Sequence, residues 1–190
     1  MDFVIFFVLL ALVFGACFAI DKGFSHFFRN QAQHHSGMAV RLNKKYGAFG
    51  VLLIVLGVAA LMASLKGDKV LLIGGIVVLL LGVWLVIYYM TCAIFYDEDA
   101  FIFNSLSKKK KTYAYRDIQS QQLYNASGNI VVELHMEDGS VVTVQSAMTG
   151  AYDFLNFAFT AWCRQKGITQ EDCPFYDPAN SCWFPPAEAE

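Results

Sequence analysis

Charge is missing from this chain over long stretches: residues 3–20, 46–65 and 70–87 hold no Asp, Glu, Lys, Arg or His. An amphipathic helix of a soluble domain needs a polar face, so none of the three runs fits that role. The same absence argues against a proton relay, ion path or pump, which usually places an ionisable group in mid-membrane despite its cost. Cysteine is present but unorganised. Cys17, Cys92, Cys163, Cys173 and Cys182 show none of the C-x-x-C spacing of zinc or redox sites. Reduced, packed thiols are expected, with a disulfide among the last three open only in an oxidising compartment. No phosphate-binding glycine loop, H-E-x-x-H or G-x-S-x-G is present. No excess of basic residues marks a nucleic-acid binder, for the formal net charge is −2.

What the chain has instead is apolar length. A bilayer-spanning helix needs about 20 mostly apolar residues, and three helices are expected at about 3–20, 46–65 and 70–91. The acidic start Met1-Asp2 lacks the basic n-region of a signal peptide, so the first helix is expected to be retained rather than cleaved. Residues 1–93 then form a transmembrane domain, with a basic loop at 21–45. That loop carries Lys22, Arg29, Arg41, Lys44 and Lys45 against Asp21. Lys108, Lys109, Lys110, Lys111 and Arg116 follow the third helix. Basic short loops stay cytoplasmic, and two spans separate these regions, so both belong inside. The expectation is a multi-pass protein of the cell membrane with its N-terminus outside and its C-terminal domain in the cytoplasm. Lys66 and Lys69 in the outer turn run against this rule.

Small residues let helix backbones approach closely in lipid. Gly50 and Gly57 on the second helix and Gly74, Gly75 and Gly82 on the third are the expected packing positions. They could join the hairpin internally, join copies of the chain, or join another membrane protein. Trp84, Tyr88 and Tyr89 read as interfacial anchors. Lys44 and Lys45 read as snorkelling to phosphates. Adjacent His34 and His35 diverge on any regular backbone and lack a third donor nearby, so no metal is expected there; Asp97-Glu98-Asp99 reads as a surface turn.

From Ile94 the period changes from helical to two. Short strands are expected around 94–96, 101–103, 111–115 and 120–124, with a polar basic turn at 106–110. Glu137-Asp138-Gly139 joins strands 130–135 and 140–144 as a hairpin. A helix over 151–166 follows, with Tyr152, Leu155, Phe159 and Trp162 on its apolar face and Gly167 ending it. Phe154 and Phe157 lie off that face and need another cover. The acidic segment 168–190 is irregular; Phe175, Tyr176, Trp183 and Phe184 could pack on the domain or dock elsewhere.

The element order over residues 96–166, with the stretch Tyr113-Ala114-Tyr115-Arg116-Asp117-Ile118, resembles bacterial PH-like (pleckstrin-homology-like) domains of small integral membrane proteins. The resemblance implies an α+β fold at 94–167, a barrel of bent antiparallel strands plugged by the C-terminal helix. It also implies binding rather than catalysis, to a partner protein or anionic lipid headgroups. In such domains the first hairpin loop often carries basic residues for headgroups, and Lys108, Lys109, Lys110 and Lys111 occupy that place. They serve either as headgroup contacts or as solubilising residues of an exposed hairpin.

The functional expectation is therefore a membrane-anchored binding or scaffold module, not an enzyme, with no cofactor and no metal. The alternative is an accessory subunit of a larger membrane complex assembled through its helices. A transporter component fits less well.

Overall fold

Two short polar side chains start the two long helices. Asn43 Oδ1 accepts from Lys45 N at 3.1 Å and opens α1, Lys44–Ser64. Asp68 Oδ1 accepts from Val70 N at 2.9 Å and Leu71 N at 3.2 Å and opens α2, Lys69–Thr91. Each cap satisfies amides that no helical carbonyl can reach. The structure is a computed structural model describing residues 38–65, 67–105, 108–126 and 128–187, with Gly15 and Phe18 as isolated positions and backbone alone at 108–110. Apart from those two positions, the expected first span at 3–20 lies outside the described residues, as does the loop with Lys22, Arg29, His34 and His35.

At 21 and 23 residues, α1 and α2 are long and apolar enough to cross a membrane. Their side chains are not those of a packed soluble core. Met62 is 68% exposed, Val70 81% and Leu80 60%. The described chain thus has two such helices where three were expected.

The pair is antiparallel and closes on its glycines. A Cβ at Gly57 would lie 2.7 Å from the backbone nitrogen of Leu79, and one at Gly82 would lie 2.7 Å from that of Ile54. Gly50 and Gly75 meet the opposing backbone at 3.1 Å. These contacts recur about every two turns, so one narrow strip of each helix is buried. Gly74 departs from expectation: a Cβ there would meet nothing within 4 Å. It neighbours Gly75 in sequence and so points about 100° away from the contact strip.

The remaining chain forms a separate unit. Strand β1, Ala39–Arg41, fell within the expected basic loop; it pairs antiparallel with β2, Ala93–Tyr96, matching Val40 to Ile94. β3, Ala100–Ser105, and β4, Lys108–Ala114, complete an antiparallel sheet in the order β1-β2-β3-β4. A 3₁₀ turn at Tyr115–Asp117 leads to β5, Ile118–Ala126. With β6, Asn129–Met136, and β7, Val141–Gln145, it forms a second antiparallel sheet, β5-β6-β7. The hairpin α1–α2 is therefore inserted in the chain between two strands that pair with each other.

The expected PH-like barrel is not formed. The strands make two separate sheets, and no ladder joins β4 to β5. Two local features account for the break. The β3–β4 register shifts between Phe103 and Ser105, and the 3₁₀ turn at Tyr115–Asp117 interrupts extended backbone where a barrel strand would bend through. The fold is α+β with open sheets.

The space that closure would have filled is occupied by α3, Ala151–Lys166, and by the segment after it. On one side Phe154 meets Tyr96 and Phe101 at centroid distances of 5.1 and 5.4 Å, and Phe157 meets Tyr96 and Tyr115. On another, Phe159 stacks on Tyr176 at 4.0 Å, while Trp162 meets Phe175 at 6.2 Å and Phe184 at 5.8 Å. The helix is thus buried more widely than one face. Phe154 is fully enclosed, whereas Tyr152, expected inside, is 44% exposed. Gly167, at φ +69°, ends the helix with the paired bonds Ile168 N to Cys163 O and Gly167 N to Arg164 O.

Candidate functional site

The lysine run lies on backbone that the sequence pattern had assigned to a turn. Lys108–Lys110 begin β4, with Lys108 opposite Ser105, and β4 is an edge strand of its sheet. An edge strand exposes unpaired backbone groups that lysine protects from chance pairing with another chain. Solubilising the edge and meeting an anionic surface are compatible uses of the same residues.

Lys111 is separated from its neighbours by a specific partner. Its ammonium bonds the Asp138 carboxylate in the β6–β7 turn and lies 5.4 Å from the Tyr113 ring centroid. Asp138 also accepts from Ser140 N at 2.9 Å and from the Ser140 hydroxyl at 2.5 Å. The Lys111 hydrogen bond, then those of Ser140, hold the Asp138 carboxyl well below the usual carboxylate range. In return the Asp138 hydrogen bond raises the Lys111 ammonium above its ordinary value. The pair ties the edge of one sheet to the turn of the other, beside a shallow cavity of about 230 Å³ lined by Thr112, Tyr113, Asp117, Met136 and Glu137. Lys111 is thereby committed within the fold.

Lys44 and Lys45 occupy the exposed first turn of α1. The helix dipole places partial positive charge there, so basic residues in the first turn are unfavourable for the helix itself.

Trp84 and Tyr88 stack at 5.6 Å on α2. Tyr89 is different. It is buried, and its ring lies 3.0 Å from where a Cβ on Gly47 would be. Tyr89 is a packing residue of the helix pair, not an anchor.

The acidic turn Asp97-Glu98-Asp99 is a turn built by its own side chain. Asp97 Oδ1 accepts from Asp99 N at 3.0 Å and Ala100 N at 2.8 Å. Carbonyls of the turn then receive donors from elsewhere: the Arg164 guanidinium bonds Glu98 O, Gln165 Nε2 reaches Asp99 O at 2.9 Å, and Tyr115 OH reaches Asp97 O at 2.6 Å. Burial, then the nearby Asp97 charge, pushes the Tyr115 phenol well above its usual value. Among the described residues no group of three or more His, Cys, Asp or Glu is gathered for a metal. His135 lies half-buried on β6, opposite Ser120 in the β5–β6 ladder, with its Nε2 unpartnered.

A second concavity, about 370 Å³, runs along the outer side of α3 over Asp153, Asn156, Phe157, Thr160, Ala161 and Arg164. These positions recur at helical spacing, so the groove is the uncovered strip of α3. Arg164 and Asn156 already have partners, Glu98 O and Trp183 Nε1 respectively.

The residue that sequence reasoning missed most completely is Gln121. It lies in a polar stretch, yet it is 4% exposed. Its Nε2 donates to Ser181 O at 3.0 Å, and its Oε1 accepts from Trp183 N at 2.9 Å and Phe184 N at 3.0 Å. Its backbone also pairs with the chain end: Gln121 N donates to Pro185 O at 2.7 Å and Ala187 N donates to Gln121 O at 2.8 Å. One glutamine thus docks the C-terminal segment on the free edge of β5. The only advance signal was the density of aromatics in that segment.

Compared with protein families, curated proteins and solved structures, the chain matches none.

Proposed function

We propose that the chain is a membrane-anchored binding module whose β-rich unit works at the cytoplasmic face of the cell membrane. The observation that carries this reading is the insertion of the apolar hairpin between paired strands. The chain leaves β1 at Arg41, enters α1 at Lys44, leaves α2 at Thr91 and resumes in β2 at Ala93. A unit held by two short covalent links to the same hairpin is tethered far more tightly than one on a single flexible linker.

Charge supports the inner side. Lys44 and Lys45 open α1, and the β4 lysines follow the hairpin closely in sequence. The orientation places the N-terminus outside. In this reading Lys108, Lys109 and Lys110 meet anionic headgroups, each contributing about 1 kcal/mol near such a surface. Lys111 is left out because Asp138 holds it. The rival reading, an accessory subunit recruited through helix glycines, loses support because Gly50, Gly57, Gly75 and Gly82 are already used within the hairpin.

The test uses the full chain in nanodiscs of phosphatidylcholine with and without phosphatidylglycerol, followed by hydrogen exchange. Anionic discs are expected to slow exchange in β4 several-fold. The triple variant Lys108→Gln, Lys109→Gln, Lys110→Gln is expected to abolish that difference, as is high salt. Equal exchange in both lipids would remove the headgroup assignment.

A further inference from the structure

One strip of α3 is left uncovered by the rest of the β-rich unit. It forms the concavity of about 370 Å³, and its six residues fall at helical spacing: Asp153, Asn156, Phe157, Thr160, Ala161 and Arg164. The middle is apolar and the ends are charged. Phe157 is half-buried and Ala161 is 3% exposed, whereas Asp153 and Arg164 are exposed. Asp153 holds no hydrogen bond or ion pair with the described residues. The Arg164 guanidinium bonds Glu98 O through one terminal nitrogen, and the rest of its five donors remain for another acceptor.

The order of these residues is self-complementary. Taken backwards from Arg164 to Asp153, the six positions have the same spacings as taken forwards. An antiparallel copy of the strip therefore sets Asp153 against Arg164 at both ends, Asn156 against Ala161, and Phe157 against Thr160. Within the strip each larger side chain meets a smaller one, which lets two helices pack closely. A parallel copy would set acid on acid and base on base, which repel. Charge thus selects both the occupant and its direction.

We infer that this face of α3 is an interface with a second copy of the chain, the two helices antiparallel about a two-fold axis at the level of Ala158 and Phe159. Two Asp153–Arg164 pairs close it, one at each end. A two-fold contact of this kind uses the same patch on both copies, so it stops at the dimer. Its area is that of one helix strip, which makes it weak between free molecules. Confinement of both copies to one membrane raises their effective concentration and hence the dimer population. Only that last step rests on membrane insertion; the pairing does not, nor does it depend on which surface the lysines of β4 engage.

The test follows the full chain in detergent micelles by sedimentation velocity at rising protein-to-detergent ratio, in low and high salt. Reversible dimers are expected, fewer as salt rises. Asp153→Arg should weaken dimerisation about tenfold, because it sets two bases together at each end. Arg164→Asp should do the same with two acids, and an equimolar mixture of the two variants should restore the dimer. Because Arg164 also bonds Glu98 O, the milder Arg164→Lys guards against a variant that fails to fold. In it a carbodiimide should join the Asp153 carboxylate to position 164 of another copy; within one chain the two positions are about 16 Å apart along the helix, too far for that link. Monomers at every ratio would overturn the inference and leave the strip to a different protein. So would dimers that Asp153→Arg does not weaken, or that the carbodiimide does not link through Asp153, since the contact would then lie on another surface.

Discussion

At the scale of single residues, Gln121 and Tyr115 show how polar groups enter this core without leaving it unsatisfied. Gln121 is enclosed because its amide serves three backbone groups of the C-terminal segment. Leucine fills similar volume but strands Ser181 O, Trp183 N and Phe184 N. Leaving buried backbone groups unpaired costs about 1–3 kcal/mol each, less what water recovers. Gln121→Leu is therefore expected to destabilise the β-rich unit by about 3 kcal/mol, read by urea unfolding, and to speed cleavage after Gly167. An unchanged midpoint would show that aromatic packing alone docks the segment. Tyr115 carries a pH signature. Its phenol is raised in the fold, so the native state resists an ionisation that the unfolded chain undergoes. The stabilisation is fully present below the ordinary value of 10.0 and is lost as pH rises from there toward the folded value. Stability is expected to fall above pH 10, and Tyr115→Phe should flatten part of that slope. At neutral pH the same change should cost about 1 kcal/mol through the lost bond to Asp97 O. Equal alkaline slopes in both proteins, by pH-dependent urea unfolding, would contradict the assignment.

At the scale of elements, the helix hairpin is specified by where side chains are absent. A valine at Gly57 would press on the Leu79 backbone, which cannot yield as a side chain can. Overpacking of this kind costs about 1–3 kcal/mol, while Gly74→Val, entering open space, should change stability by no more than about 0.5 kcal/mol. Thermal unfolding in micelles should rank Gly57→Val far below Gly74→Val; the reverse order would mean the helices pack on a different strip. The glycines were legible as small residues, but five candidates did not reveal which faced inward. That depends on helix phase, and runs of Leu, Ile and Val with no polar face carry no phase information. Most strands from Ile94 onward were legible because alternation marks them, but Lys108–Lys110, expected as a turn, begin β4. β1 was not: three residues cannot establish a period, and Ala39–Arg41 becomes a strand only by pairing with β2. α3 was located at its observed bounds, and the cover that Phe154 and Phe157 required comes from Tyr96, Phe101 and Tyr115. Tyr152 departs from expectation, lying 44% exposed rather than on the buried face.

At the scale of the whole chain, the barrel expectation failed for a reason of the same kind. Strand count and order suit either a closed barrel or two open sheets; the 3₁₀ turn at Tyr115–Asp117 and the shifted β3–β4 register decide between them, and neither leaves a periodic trace. The lysine run was visible by composition, but the separation of Lys111 from its neighbours rests on Asp138, distant in sequence. Gln121 lay hidden for the same cause, since its partners come from the far end of the chain. The proposal that rests most heavily on the apolar hairpin is membrane insertion, and alkaline carbonate extraction of membranes from cells making the full chain tests it most directly. The account predicts that the protein stays with the pelleted membranes and is released only by detergent. Recovery of the intact, monodisperse protein in the carbonate supernatant would contradict it.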